Sequence, residues 1–218
     1  VHPQLEIYPN VHWHPENSQV DPWVILGKAP RNQAPGESAL YLGPHATLRS
    51  FSTLYAGSTI GKGLQTGHGV MIREDNLIGE DVSIGTHSVL EYGNRIGNRV
   101  RIHSHCFLER VMLEDEVFLG PHVVFTDDPH PICPRYQDCK PPTRIGFRTR
   151  IGANTTLVPG LVIGSNCLIG AGSVVTENLP DNCVAAGNPA RILKPIDELV
   201  CWPGFYSKPY AWLEKDFE

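Results

Sequence analysis

The 218-residue chain has no run of apolar residues long enough to cross a bilayer, which takes roughly 20 in succession, so a membrane-spanning helix is not expected. It also lacks a surplus of positive charge. With 18 Lys and Arg against 23 Asp and Glu, the formal net charge is −5, and neither nucleic acid nor an anionic membrane is expected as the main partner. The start of the sequence has no basic segment followed by an apolar one, so a cytoplasmic location is expected. Cysteine is modest in number, six in all, which favours a reducing compartment. Finally, the pattern of apolar residues fits neither a helical face nor a simple alternating strand.

What the chain has instead is a beat of six. Leu42, Leu48, Leu54, Ile60, Ile72, Ile78, Ile84, Leu90, Ile96, Ile102 and Leu108 keep this interval, with Thr66 once in an aliphatic place. Gly often follows the beat residue, as at Gly61, Gly79, Gly85 and Gly97, and a small or β-branched residue often stands four after it, as at Ala46, Ser52, Val82 and Val100. Such a period reads as an all-β solenoid, a parallel β-helix in which each hexapeptide is one short strand plus a turn and three complete a coil. Residues eighteen apart then stack at about 4.8 Å.

The beat loses one residue after Leu108, resumes at Leu113, Leu119 and Phe125, and returns after a long interruption at Ile145, Ile151, Leu157, Ile163, Ile169 and Val175. One face lacks the Gly (Tyr55, Arg73, Glu91, Glu109, Thr126), and the same deviation recurs at Val158 and Thr176. Ile145 therefore belongs on the face after Phe125, and the interruption bulges from a single corner. The expected organisation is a β-helix over 1–193, with loop insertions at about 27–41 and 126–144, and a tail over 194–218. The first 26 residues read as an irregular coil with Ile7, Trp13, Val20 and Ile25 inside. The tail, with a short helical candidate around Ile196–Cys201, reads as a cap over the open end of the solenoid. Cys106 and Cys167 fall on the small inward position and read as core.

Two groups of residues can carry chemistry. His87, His105 and His122 each stand three after a beat residue on one face, so they are expected as a ladder outside the packed column. Stacked imidazoles disfavour simultaneous protonation, and a neutral imidazole on a groove wall is suited to take a proton from an attacking amine or hydroxyl. The interruption supplies His130, Cys133 and Cys139, a possible structural zinc set, with free thiols or a local disulfide as the other readings. Asp127 and Asp128 stand where it leaves the coil.

The hexads, together with the closing segment GAGSVVTENLPDNCVAAGNPARIL, resemble the hexapeptide-repeat acyltransferases, and in particular their sugar-nucleotide N-acetyltransferase branch, over about residues 40–195. The resemblance implies a left-handed β-helix, although parallel crossovers are normally right-handed. It also implies a homotrimer with acetyl-CoA as co-substrate between neighbouring subunits and transfer of an acetyl or other short acyl group to an amino group of a nucleotide-linked sugar. Ala171, Gly172, Asn188, Pro189 and Arg191 would then bind the cofactor, with Arg191 near its nucleotide end. His105, in the segment RIHSHCFLER, would be the catalytic base or would only orient the acceptor, and His87, His103, His122, Asp127 and Asp128 would contact substrate. Alternatives are a sugar hydroxyl as acceptor, or hydration of carbon dioxide as in the γ-class carbonic anhydrases, which place three His ligands around a metal on a similar scaffold.

Overall fold

The computed structural model describes residues 4–214. Strands of two to three residues repeat along nearly the whole chain and stack into three sheets, one per face of a triangular coil, parallel throughout except for the last strand of the third. The first face carries nine strands from Glu6–Ile7 to Val174–Val175. The second carries eight from Val11–Trp13 to Val162–Ile163, and the third ten from Gln19–Val20 to Ala190–Pro195. Registers follow the eighteen-residue coil, with Ile72 opposite Leu54 and Leu90, and Ile84 opposite Thr66 and Ile102.

Every beat residue from Leu42 to Val175 is buried, Thr66 included, and together they form one column along the axis. The residue four after the beat completes it, with Cys106 and Cys167 among these inward positions as expected. Where this position is polar, it bonds from coil to coil. The Asn94 amide donates to Asn76 Oδ1 at 2.8 Å, and Asn94 Oδ1 accepts the Val111 N–H at 3.0 Å, so buried polar atoms find partners within the stack. Glycine after the beat has an equally direct cause. A Cβ on Gly85 would stand 2.3 Å from the backbone nitrogen of Ser104 in the next coil, closer than any side chain can come.

Apart from one extra residue between Trp13 and Val20, the irregularities gather at one corner, between the first and second faces. The loop 29–39 leaves there after Ile25–Lys28, the one-residue deletion falls there between Leu108 and Val111, and the long loop leaves there after Val124–Phe125. The long loop ends earlier than the pattern suggested, because Thr143–Ile145 is already a strand paired with Val111–Leu113. At the other extreme of the coil sequence, Ile7 is 45% exposed: it is in register with Leu26 on the outermost described coil, which has a stacking neighbour on one side only. Val24 and Leu26, flanking Ile25, take the buried places, while Trp13 and Val20 pack against the column as expected.

The tail departs from the expected cap. After the antiparallel hairpin of Cys183–Gly187 and Ala190–Pro195, a 3-10 turn covers only Ile196–Glu198. The chain then folds back along the outside of the third face, where Tyr210 stacks on Arg150. A planar cation on the sheet flank is a better partner for a tyrosine ring than the polar end of a stack of turns. Among the described residues no helix is long and apolar enough to cross a membrane.

The long loop is held by a cluster at its own corner. The Tyr136 hydroxyl donates to Glu109 Oε1 at 3.3 Å and meets the Tyr92 hydroxyl, while Asp128 accepts the N–H groups of His130 at 2.7 Å and Cys133 at 2.9 Å. Burial pushes the Glu109 carboxyl above the ordinary glutamate value, and neighbouring Asp127 pushes it the same way against the Tyr92 hydroxyl. A carboxyl raised in this way favours the folded arrangement while protonated. The contribution is therefore complete below the ordinary glutamate pKa and is lost as pH rises through the raised value. Hydrogen exchange of the loop amides, corrected for intrinsic rates, should show protection falling across that window. Glu109→Gln should flatten the profile, and a wild-type profile already flat would remove Glu109 as the anchor.

Candidate functional site

The corner between the third and first faces turns at the residue three after the beat, and the coil needs a left-handed backbone there. His87, His105 and His122 have φ of 57°, 60° and 59°. Asn, Asp and His tolerate this region better than most residues, which accounts for a polar residue at the turn but not for three consecutive histidines. The same edge uses Phe51, Gly69, Asn154 and Gly172 in other coils. The expected ladder forms: His105 and His122 stack with centroids 4.8 Å apart and planes 4° off parallel, and His87 meets His105 edge-on at 5.4 Å. Their backbones are fixed by bonds from coil to coil, with the His105 N–H on the Thr86 carbonyl at 2.9 Å and the His122 N–H on that of Ser104 at 3.0 Å. All three imidazoles are exposed along the edge. They form a stack and do not converge on a common point.

The edge continues toward the end of the helix. Asn154 and Gly172 occupy the next two coils in line, which puts Gly172 about 14 Å from His105 at three strand spacings. A Cβ on Gly172 would meet nothing within 4 Å, so the space beside the edge is open there, and Ala171 is exposed next to it. Just beyond lies the hairpin turn Gly187–Ala190, tied to the last coil by the Gly187 N–H on Ser173 Oγ at 3.2 Å. Asn188 and Pro189, joined by a cis peptide, form its exposed tip. Arg191 is exposed as well, its guanidinium donating to the Ala190 carbonyl at 2.9 Å and standing 3.6 Å from Glu177. The sequence-predicted base and the sequence-predicted cofactor residues thus lie along one edge of the solenoid.

Other expected contacts lie elsewhere. His103 points out of the third face beside the edge, its ring 5.1 Å from that of Phe118. Asp127 is drawn to Glu109, and both carboxylate oxygens of Asp128 accept loop N–H groups, so both acids act within the loop. The zinc reading is not met by geometry. Cys139 neighbours Cys133, but among the described residues no three of His, Cys, Asp and Glu gather where an ion could be held, so His130 does not join the thiols. Both thiols are free.

Apart from His103, which lines it, sequence reasoning passed over a cleft of about 1420 Å³ between the third face and the returning tail. Its floor is made by residues immediately before the beat, which face outward: Ser83, Arg101, Phe118, Arg150 and Leu168. Tyr210, Trp212 and Leu213 of the tail form its other wall. Arg150 is only 9% exposed, with its guanidinium carbon 3.7 Å from the Tyr210 ring centroid and one hydrogen bond, to Asn166 Oδ1 at 3.2 Å. Burial lowers its pKa from the usual arginine value. Nearby, burial acts to raise the Glu116 carboxyl, but the guanidinium groups of Arg148 and Arg99 outweigh it and hold the group below its ordinary value. The outward alternation at Arg101, Phe118 and Arg150 was a readable signal, but no sequence pattern brought the tail to it.

The chain is similar to known proteins in its repeats and in its fold. The family described as "Bacterial transferase hexapeptide (six repeats)" matches residues 142–177. The chain is 29% identical over 172 residues to Bifunctional protein GlmU of Cyanothece sp., covering 70% of this chain and 38% of that protein. It is 36% identical over 92 residues to galactoside O-acetyltransferase of Escherichia coli, covering 40% of this chain and 45% of the relative. The chain therefore spans less than half the length of these two relatives. A solved UDP-N-acetylglucosamine acyltransferase from Campylobacter jejuni shares the fold, with a TM-score of 0.68 over 89% of this chain and 74% of its own at 15% identity. The match over its last coils shows that the chain carries bacterial transferase hexapeptide repeats, and the repeat followed through the three faces, with the shared fold of the solved structure, shows a left-handed parallel β-helix.

Proposed function

We propose that the chain is a CoA-dependent acetyltransferase that acylates an amino group of a sugar, carried on a nucleotide, and works as a homotrimer. The observation that carries this reading is the single edge on which an exposed imidazole stack, the open space at Gly172 and the Gly187–Arg191 hairpin follow one another. An extended thioester laid along that edge has its nucleotide end at Arg191 and its reacting carbon beside His105. As the amine attacks the thioester carbon, the C–N bond forms and the C–S bond breaks. His105 takes the amine proton and returns it to the departing thiolate. The backbone bond to Thr86 fixes the main chain at His105 and stacking on His122 orients the ring, which is what a base needs if it is to meet the acceptor in one geometry. A sugar hydroxyl is the second reading, favoured by the similarity to galactoside O-acetyltransferase.

A second copy has a surface to meet. The outward residues of the first face, next to the histidine edge, include Met71, Val89, Phe107, Val124 and Val174, a largely apolar stripe with Thr156 between the last two. Closing three chains of 24.1 kDa around a three-fold axis gives about 72 kDa. Light scattering is expected to return that mass, and a stable monomer at micromolar concentration would count against a site shared between copies.

The role of Arg191 is tested by cofactor affinity. Loss of a charge-assisted hydrogen bond in Arg191→Ala should weaken acetyl-CoA binding by about 1–2 kcal/mol in calorimetry. Unchanged affinity would reduce the residue to its contact with Glu177.

The role of His105 is tested by kinetics with an amino-sugar acceptor. His105→Ala should lower kcat by roughly 10²–10⁴-fold with acetyl-CoA affinity nearly unchanged, and His105→Asn should be as slow. An active His105→Asn would make the residue an orienting one. If His87→Ala or His122→Ala abolished turnover while His105→Ala did not, the base would stand on another rung.

A further inference from the structure

We infer that the cleft between the third face and the C-terminal tail is a binding site for a nucleoside diphosphate group, with Arg101 and Arg150 on the phosphates and Trp212 on the base.

The charge of the cleft is unbalanced in a protein that is negative overall. Four arginines line it, Arg99, Arg101, Arg148 and Arg150, against the two carboxylates Asp81 and Glu116. Glu116 is taken up by Arg99 and Arg148, at 2.8 Å and 2.5 Å. Among the described residues no carboxylate pairs with Arg101 or Arg150. Arg150 is the telling case. It is nine-tenths buried, where a charge is costly unless paired, yet only one of its five donors has a described acceptor. Tyr210 covers the face of its guanidinium and leaves the donor edges for a ligand. Planar, forked donors of this kind match phosphate oxygens in pairs.

The other half of the cleft is aromatic. Trp212 lines it and is 41% exposed, a large apolar ring kept at the surface. Tyr206 and Tyr210 brace it, with ring centroids 4.9 and 5.6 Å away, so the indole is held and not free to swing. A braced, half-exposed ring beside an unpaired guanidinium pair is a stacking platform next to an anion site, and bases stack on such rings whatever their identity. At about 1420 Å³ the cleft exceeds the roughly 300–1,000 Å³ of ordinary small-molecule sites, as a ligand longer than one ring requires. A bare phosphate would leave the aromatic wall unused, and an apolar ligand would leave the arginines unpaired.

This assignment rests on the cleft's own chemistry and deepens the transferase reading only in what it says about the molecules carried there. A nucleoside diphosphate can enter as part of the sugar acceptor or as the nucleotide end of CoA. Calorimetry on the full chain without acyl donor separates the sources and keeps the result independent of acetyl transfer. Uridine diphosphate or adenosine diphosphate is expected to bind, with inorganic pyrophosphate weaker. Arg101→Ala should weaken the nucleoside diphosphates and pyrophosphate by about tenfold or more, and Trp212→Ala should weaken the nucleoside diphosphates about tenfold but not pyrophosphate. Both side chains are exposed, so neither variant opens the core. If CoA displaces the diphosphate and also weakens in Arg101→Ala, the cleft holds the donor. If CoA and uridine diphosphate bind together, it holds the acceptor. No saturable binding of either nucleoside diphosphate, or affinities unmoved by both substitutions, would overturn the assignment.

Discussion

The structure depends on one repeated constraint: each coil hands its backbone hydrogen bonds to the next, so the chain must advance by one strand spacing for every three hexapeptides. Strands of two or three residues could not hold a sheet alone, since an isolated short strand has too little to bury. Here each belongs to a ladder of eight to ten, and its inward residue joins one continuous column. The spacing leaves no room for a side chain above the residue after the beat at many turns, which is why Gly85 sits 2.3 Å, as measured from a hypothetical Cβ, from the next coil's backbone. It also leaves no solvent for polar inward residues, which is why Asn76 and Asn94 bond to each other and to the strands around them.

Because every coil is committed to its neighbours, variation is confined to the outside and to the corners. Insertions fall where the chain can leave and return without breaking a ladder, and this chain uses the same corner for both of its loops and for its shortened turns after Leu108 and Val175. The corner between the third and first faces stays regular, and that regularity lets three histidines stand in register over consecutive coils. The scaffold thus separates two tasks: a rigid edge holds groups at fixed spacing, and the irregular corner is free to carry a loop.

The buried charge at Arg150 follows from the same arrangement. A residue before the beat points outward on a bare solenoid and is solvated, but the returning tail closes over it. Tyr210 supplies a cation–π contact and Asn166 a hydrogen bond, which offset part of the cost of taking a guanidinium out of water.

The sequence alone determined the three-faced solenoid, the inward column, the phase of the chain across its longest loop and the stacking of His87, His105 and His122, because all of these are set by spacing along the chain and coil stacking turns spacing directly into contact. The family resemblance also marked Ala171, Gly172 and Arg191; the first two stand at the edge of that stack and Arg191 in the hairpin just beyond it. Only the tertiary structure decided what lies off the repeat. His130, Cys133 and Cys139 are close in sequence, but their loop is arranged by Asp128, Glu109 and Tyr136, and it brings two thiols together without the imidazole. Ile7 has the right register and lacks a coil on its other side. The tail has no period at all, so nothing in its residues says which surface it meets. Its place is set by Tyr210 finding Arg150, 60 residues away in the chain, and a contact between a repeat and a segment without one has no signature in spacing.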